Sequence, residues 1–258
     1  MNEKKVASGI DVSYAQGRID WAKLSGKIDF AVIRCGFGSD YKNQDDVQWQ
    51  NNISGCEKYH IPYGVYIYSY ATSVEKAKSE AKHVLRLLKG KVPALPVFYD
   101  LEESRIASLG KAKILEIAKT FCQEIEKAGY VYGTYANKNW FTNYLTDGWY
   151  DTKVKWLAQY NKSVTYKGTY DIWQYSCKGR LDGIKTDVDM NFCYISLLNG
   201  DADGDGKVTA SDARKILRIS SGLEKTTGQS ALNADKNKDG LITAADAKAV
   251  LEESSGIG

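Results

Sequence analysis

The first two hundred positions alternate between short apolar runs and longer stretches with helical spacing. Eight runs have strand character, at residues 9–13, 30–35, 63–70, 95–101, 131–135, 155–160, 170–175 and 188–193. Several are apolar almost without a break, the pattern of strands covered on both faces. Between them, apolar residues recurring every three to four positions predict helices over 44–59, 74–88, 111–127 and 137–145. Ala77, Ala81, Val84, Leu85 and Leu88 share one side of the second, and Ile114, Ile117, Ala118, Phe121 and Ile125 one side of the third. The links after Tyr160 and Tyr175 are too short or too glycine-rich for full helices. Early helical crossovers followed by late hairpin-like links predict an α/β fold, an irregular (β/α) TIM-like barrel. A doubly wound open sheet is the structural alternative.

Polar residues gather where these strands end: Asp11, Tyr68, Asp100, Gln159, Gln174 and Asp189. In a barrel that places them on the C-terminal rim, where barrel enzymes keep their chemistry. The run Val97-Phe98-Tyr99-Asp100-Leu101-Glu102 leads apolar residues straight into two carboxylates at i and i+2. Such residues point to one side of a strand, with Cα atoms about 6.7 Å apart. Glycosidic cleavage needs an acid for the leaving oxygen and a second group for the oxocarbenium-like state. Repulsion between close carboxylates also raises one pKa, which keeps the acid protonated near neutrality. A solvated strand end accounts for a lone D-x-E equally well. His60, before Pro62 in a turn, and His83, on an amphipathic helix, have no serine or cysteine partner in a triad motif and read as ordinary surface or helix residues.

The ordered set Gly9-Ile10-Asp11-Val12-Ser13, the D-x-E, Trp156-Leu157-Ala158-Gln159-Tyr160, Ile172-Trp173-Gln174-Tyr175 and Val188-Asp189-Met190-Asn191 spans residues 7–195. It resembles family 25 of the glycoside hydrolases, bacterial and phage muramidases built on an irregular (β/α) barrel. The resemblance implies cleavage of the β-1,4 bond between N-acetylmuramic acid and N-acetylglucosamine in peptidoglycan, with no cofactor required for catalysis. It implies Glu102 as general acid/base, and Asp100 as the group that orients the substrate acetamide or acts as nucleophile. Asp11 and Asp189 would complete an acidic ring, with Asp187 the competing choice for the last place. Tyr66, Tyr68, Tyr135, Trp156, Tyr160, Trp173 and Gln174 are candidates for contact with sugars, although core packing explains each aromatic as readily.

Near the C-terminus two twelve-residue segments repeat at an offset of 34 positions. Calcium takes six to eight oxygen ligands, which such loops supply from positions 1, 3, 5, 7, 9 and 12, with glycine at 6. The first copy offers Asp201, Asp203, Asp205, the carbonyl of Lys207, Thr209 (directly or through water) and Asp212 around Gly206. The second offers Asp235, Asn237, Asp239, the carbonyl of Leu241, Thr243 and Asp246 around Gly240. Each loop is expected to open one helix, over 212–221 and 246–254, closed by a glycine. No helix precedes the first loop and position 12 is Asp, which departs from an ordinary EF-hand. The segment resembles a dockerin, which implies two bound calcium ions and a cohesin on a scaffold protein as partner. The resemblance puts cohesin recognition on Ala210, Ser211, Leu217 and Arg218 in one copy and on Ala244, Ala245, Leu251 and Glu252 in the other.

Two domains are therefore expected, residues 1–198 and 199–258. The first carries net charge +5 and the second −2. A small scattered excess suits an anionic wall polymer and forms no nucleic-acid stripe. Eighteen tyrosines and six tryptophans fit sugar sites or a barrel core alike. No apolar run approaches a membrane span. The start Met1-Asn2-Glu3-Lys4-Lys5 lacks an apolar signal region, so the expectation is a secreted, surface- or scaffold-associated monomer whose signal peptide is not in this chain. Five cysteines fit no metal spacing and leave Cys177–Cys193 open as a pair. A chitin-type hydrolase and a non-catalytic wall-binding protein are the rival readings.

Overall fold

The computed structural model describes residues 7–226 and 228–256. Two compact units divide at Cys193/Tyr194. In the first, eight strands close into a barrel in sequence order: β1 (Ala7–Val12), β2 (Phe30–Phe37), β3 (Tyr63–Tyr68), β4 (Val97–Asp100), β5 (Tyr132–Asn137), β6 (Val154–Ala158), β7 (Ile172–Gly179) and β8 (Val188–Cys193). Closure excludes the open-sheet alternative. Strands β1 to β7 run parallel, and β8 lies antiparallel between β7 and β1. The irregular last quarter has two parts: residues 159–171 join β6 to β7 without a helix, and β7 turns back into β8 as a hairpin.

Helices α1 (Trp21–Leu24), α2 (Trp49–Lys58), α3 (Val74–Leu87), α4 (Ser104–Ala107), α5 (Lys111–Lys127) and α6 (Lys138–Asn143) occupy the crossovers. The helix expected over 44–59 breaks into a 3-10 turn at Lys42–Gln44 and α2, because the Asp46 carboxylate accepts the backbone N–H groups of Tyr14 and Gln48 instead. The expected apolar stripes are buried: Ala77, Ala81, Val84 and Leu88 on one side, Ile114, Ile117, Ala118, Phe121 and Ile125 on the other. Two polar residues of α3 are buried with them. Glu80 accepts hydrogen bonds from Ser69 Oγ, the Tyr70 backbone N–H and Tyr99 Oη, and burial pushes its pKa up to about 7. His83, expected as an ordinary surface or helix residue, is fully inaccessible and lies 2.7 Å from Asp45 and 3.1 Å from the Gly38 carbonyl. Buried polar groups need partners, and both of these have them.

Glycines make room for aromatic rings at the barrel floor. A Cβ on Gly9 would lie 2.6 Å from the Phe30 ring, and one on Gly133 would lie 2.7 Å from both the Phe98 ring and the Val154 carbonyl oxygen. Large and small residues thus alternate around the interior. Above them Trp156, 1 % exposed, meets Phe98 and Tyr66 edge-on, with centroids at 5.2 and 5.7 Å.

No disulfide joins any of the five cysteines. Cys193 pairs in register with Ile172, which leaves Cys177 five positions further along β7, too far to bridge.

The second unit, from Tyr194 onward, contains α7 (Ala210–Ser220), α8 (Gly228–Ala234) and α9 (Ala244–Ser255). Helices α7 and α9 start two residues earlier than expected, because Thr209 and Thr243 cap them in boxes closed by Asp212 and Asp246. Gly256, left-handed at φ 68°, ends α9 as a glycine C-cap does. Helix α8 carries too weak an apolar pattern to be anticipated. Among the described residues, the unit's buried core is Ala202, Ala213, Ile216, Ala234, Ala247 and Val250, with Val208, Ile219 and Ile242 packed against it. The repeat partner Ile257 lies outside the described residues. Among those described, no helix is long and apolar enough to cross a membrane.

Replacing Gly133 with alanine forces the Phe98 ring or β6 aside. A loss of about 1–3 kcal/mol in urea unfolding is expected for Gly133→Ala, the usual cost of overpacking. Unchanged stability would show that the floor is not tightly packed.

Candidate active site

Strand geometry alone gathers the four carboxylates named from the sequence. Asp11 stands near the end of β1 and Asp100 ends β4, with Glu102 two residues beyond it. Asp189 sits near the start of β8, yet its antiparallel direction brings that start to the same rim, where Asp189 pairs in register with Asp11. Asp189 thus reaches the rim from the opposite strand end to the others.

Asp11 is 4 % exposed, and its Oδ2 accepts hydrogen bonds of 2.8 Å from both Gln174 Nε2 and Asn191 Nδ2. Asn191 Oδ1 in turn accepts from Trp156 Nε1 at 2.7 Å. Gln174 Oε1 accepts from Tyr135 Oη at 3.0 Å and Tyr160 Oη at 2.9 Å. One chain of hydrogen bonds therefore ties β1, β5, β6, β7 and β8 together across the barrel mouth.

Burial, joined by the charge of its neighbours, raises the pKa values of this ring. Burial and then Asp189 push Asp11 up, against the pull of its two amide donors. Burial, then Glu102 and Asp11, push Asp100 well up, while Arg34 opposes them. Asp189 is pushed up to about 6, first by burial and then by Glu102. Burial raises Glu102, with the Asn137 amide beside it pulling the other way. The Oδ1 atom of Asp100 is buried and accepts no hydrogen bond among the described residues, an open acceptor within the ring.

The aromatic candidates separate by position. Tyr66 and Tyr68 are half-buried on the inner face of β3, and Tyr68 pairs in register with Asp100. Tyr135 is buried behind Gln174, whereas Tyr160 is 52 % exposed above it. Trp156 is part of the floor rather than an accessible wall. Trp173 faces away from the ring: it pairs with Phe192 on the other side of the sheet from Gln174 and Asn191, and its Nε1 donates to the Gln159 carbonyl. Gln159 is also diverted, since its side chain accepts from the Thr165 and Tyr166 backbones and orders the β6–β7 link. Asp187 is exposed and bridges Arg180 at 2.7 Å.

Sequence reasoning missed three contributors. Asn191 follows Asp189 by two positions and shares its face, a signal present in the D-x-N motif. Asn137 caps α6 through its Oδ1, which leaves its NH2 toward Glu102. Arg34, on the inner side of β2, donates from Nε to Asp46 at 2.7 Å and had no motif to mark it.

In the second unit the loop carboxylates converge. Ligand oxygens of Asp201, Asp203 and Asp205 lie within 4.8 Å of one another. Asp201, Asp212 and Asp246 are wholly buried, and no lysine or arginine pairs with them among the described residues. Their oxygens accept loop N–H groups: Gly204, Asp205 and Gly206 donate to Asp201, Asp239 and Gly240 to Asp235. Burial and neighbouring carboxylates raise Asp203 and Asp235 despite those bonds. Thr209 and Thr243 serve as helix caps, each hydroxyl also donating to the aspartate at position 12. Asn237 turns its amide toward Asp239, and the carbonyls of Lys207 and Leu241 belong to exposed residues. An all-oxygen donor set with buried, unpaired carboxylates fits a hard cation.

Comparisons with known proteins agree with this architecture. A dockerin type I domain model matches residues 199–252. Lysozyme M1 of Streptomyces globisporus is 26 % identical over 200 residues, covering 71 % of this chain and 66 % of that protein. The structure of the modular autolysin LytC from Streptococcus pneumoniae, in complex with a synthetic peptidoglycan ligand, superposes with a TM-score of 0.67 at 24 % identity. It covers 74 % of this chain and 47 % of that one. The catalytic domain of the endolysin ply40 from Listeria monocytogenes bacteriophage P40 gives 0.64 at 24 % identity, covering 74 % of this chain and 95 % of that one. The chain thus spans about two thirds of the lysozyme and under half of LytC. The glycosyl hydrolases family 25 model matches residues 10–184, more than half the chain, and the chain belongs to that family.

Proposed function

We propose that the barrel is a muramidase, hydrolysing the β-1,4 bond between N-acetylmuramic acid and N-acetylglucosamine of peptidoglycan. The observation that carries this reading is the convergence of Asp11, Asp100, Glu102 and Asp189 on one rim with raised pKa values. Glu102 holds a proton above the ordinary carboxylate range and delivers it to the leaving glycosidic oxygen. As the C1–O bond breaks, the carbonyl oxygen of the substrate's own acetamide closes on C1. Asp100 orients that acetamide, its unpartnered Oδ1 accepting the amide N–H. Water then adds at C1 as the bond from C1 to the acetamide oxygen breaks and the acetamide is restored, while Glu102, now ionised, takes a proton from that water. Asp11 and Asp189 place negative charge near the positive C1. Gln174 and Asn191 hold Asp11 so that it does not reorganise during the reaction. Tyr66, Tyr68 and Tyr160 supply contact to the sugars.

The second unit, on this reading, is a dockerin that binds two calcium ions and attaches the enzyme to a cohesin on a scaffold outside the cell. Asp201, Asp203, Asp205, Lys207, Thr209 and Asp212 would hold one ion, and Asp235, Asn237, Asp239, Leu241, Thr243 and Asp246 the other. The ion's part would be to neutralise carboxylates that the fold gathers. With a core of six small or medium apolar residues, metal binding and folding are then one equilibrium.

Wild type is expected to release muramic-acid reducing ends from purified peptidoglycan and none from chitin. Glu102→Gln is expected to lower kcat by about 10²–10⁴-fold. Release from chitin alone would replace the substrate assignment. Stability offers an independent check. A carboxyl raised in the folded state opposes folding once it ionises, and Asp189 does so between its unfolded value near 3.9 and about 6. Asp189→Asn is therefore expected to unfold later than wild type at pH 7.5, by up to about 3 kcal/mol and less as solvent screens the group. The gain should vanish below about pH 4. A gain that grows with acidity would contradict the sign. Finally, chelation should abolish cohesin binding and melt the second unit while turnover of soluble substrate persists. Parallel loss of both would tie the loops to catalysis.

A further inference from the structure

A second pocket opens beside the acidic ring. It measures about 390 Å³, and its lining includes Tyr14, Arg34, Tyr68 and Tyr70 together with Asp45, Asp46 and Val47. Tyr68 belongs to both sites, standing in register with Asp100. Arg34 is close enough for its charge to reach Asp100. The pocket therefore adjoins the acidic ring through Tyr68 and Arg34.

Its chemistry is that of a site for acceptor oxygens. Arg34 spends only Nε on Asp46, and its two Nη groups make no hydrogen bond among the described residues. The pocket's carboxylates are already satisfied. Asp46 accepts from Arg34, Tyr14 N and Gln48 N, while Asp45 accepts from Arg86 at 2.6 and 3.0 Å and contacts His83 at 2.7 Å. The aromatic walls are poorly set for stacking a sugar ring. The guanidinium of Arg34 lies 4.6 Å over Tyr14 and that of Arg105 lies 5.2 Å over Tyr70. Phe37 meets Tyr70 edge-on and Tyr68 meets it tilted. A cationic fork with free donors recognises carbonyl and carboxylate oxygens.

N-acetylmuramic acid differs from N-acetylglucosamine by one substituent, a lactyl ether at O3 whose carboxyl group carries the stem peptide. We infer that this pocket receives that lactyl-peptide branch, and that Arg34 is the specificity-determining residue, donating through its Nη atoms to the lactyl carbonyl or free carboxylate. The inference rests on the muramidase reading and adds how the site tells wall glycan from chitin. A site built to hydrogen-bond one substituent rejects analogues that lack it, because its own donors are then left unpaired.

Two variants of the whole chain test this. Arg34→Lys keeps a cation beside Asp46 but removes the fork. Val47→Asp adds a negative charge at a position 81 % exposed, where folding is little affected. Binding of N-acetylmuramyl dipeptide and of chitobiose is measured by calorimetry, alongside KM and kcat on peptidoglycan. Wild type is expected to favour the muramyl ligand at least about tenfold, one good charged hydrogen bond. Both variants should shrink that ratio and raise KM, and Val47→Asp should leave kcat within a few-fold. If Arg34→Lys does not fold, Val47→Asp alone decides. An unchanged ratio in the folded variants overturns the role of the pocket while leaving a muramidase that releases muramic-acid ends. Wild type that cleaves only chitin overturns the underlying reading instead.

Discussion

The rest of the site depends on one carboxylate, Asp11, and on the antiparallel strand that lets it be held. A barrel of eight parallel strands would deliver only strand ends to the rim. Running β8 the other way brings its beginning there, so that Asp189 faces Asp11 across a register pair while Asn191 reaches one step deeper to bond it. Asn191 is simultaneously the acceptor for Trp156, which seats the floor against Phe98 and Tyr66. Packing below and polarity above therefore meet at a single amide. The hairpin that looks like an irregularity of the fold is what makes the acidic ring possible.

That arrangement works against stability. Four carboxyl groups share a buried mouth with Arg34 as the nearby cation, and the raised pKa values record the resulting strain. Such clusters persist where surrounding structure over-determines them. Here the interlocked stripes of α3 and α5, the Phe30 and Phe98 floor and the fully bonded Glu80 and His83 do so. The second unit gathers carboxylates too, held by loop N–H groups over a much smaller core among the described residues. The same electrostatic problem has two physical answers, a large core in one unit and an all-oxygen cradle for a cation in the other.

What the sequence made legible follows from which interactions are local. Short, in places near-continuous, apolar runs marked all eight strands, and the spacing of Ile114 to Ile125 marked α5, because those patterns are written in consecutive residues. The twin loops were readable for the same reason, since all their ligands fall within twelve positions. The D-x-E and D-x-N motifs gave the carboxylates, and the strand order gathers them. Pairings across the chain were not legible: Arg34 with Asp46 beside Tyr14, Asn137 turned toward Glu102, and Glu80 beneath Ser69 and Tyr99. Of the two neighbouring candidates Trp173 and Gln174, strand parity turns Gln174 inward and Trp173 to the other face, a distinction the motif alone did not make. Helix α8 escaped because a weak apolar pattern is set by tertiary packing rather than by its own seven residues.

The absence of a disulfide among the five cysteines has a consequence for the polymer as a whole. Four are sealed in the interior, and burial pushes Cys35, Cys56 and Cys122 well up, so they remain protonated and chemically quiet. No covalent bond joins one part of the chain to another. Once its non-covalent contacts are released, the molecule is a plain linear thread with no internal loop to unlock, and its refolding calls for no oxidant.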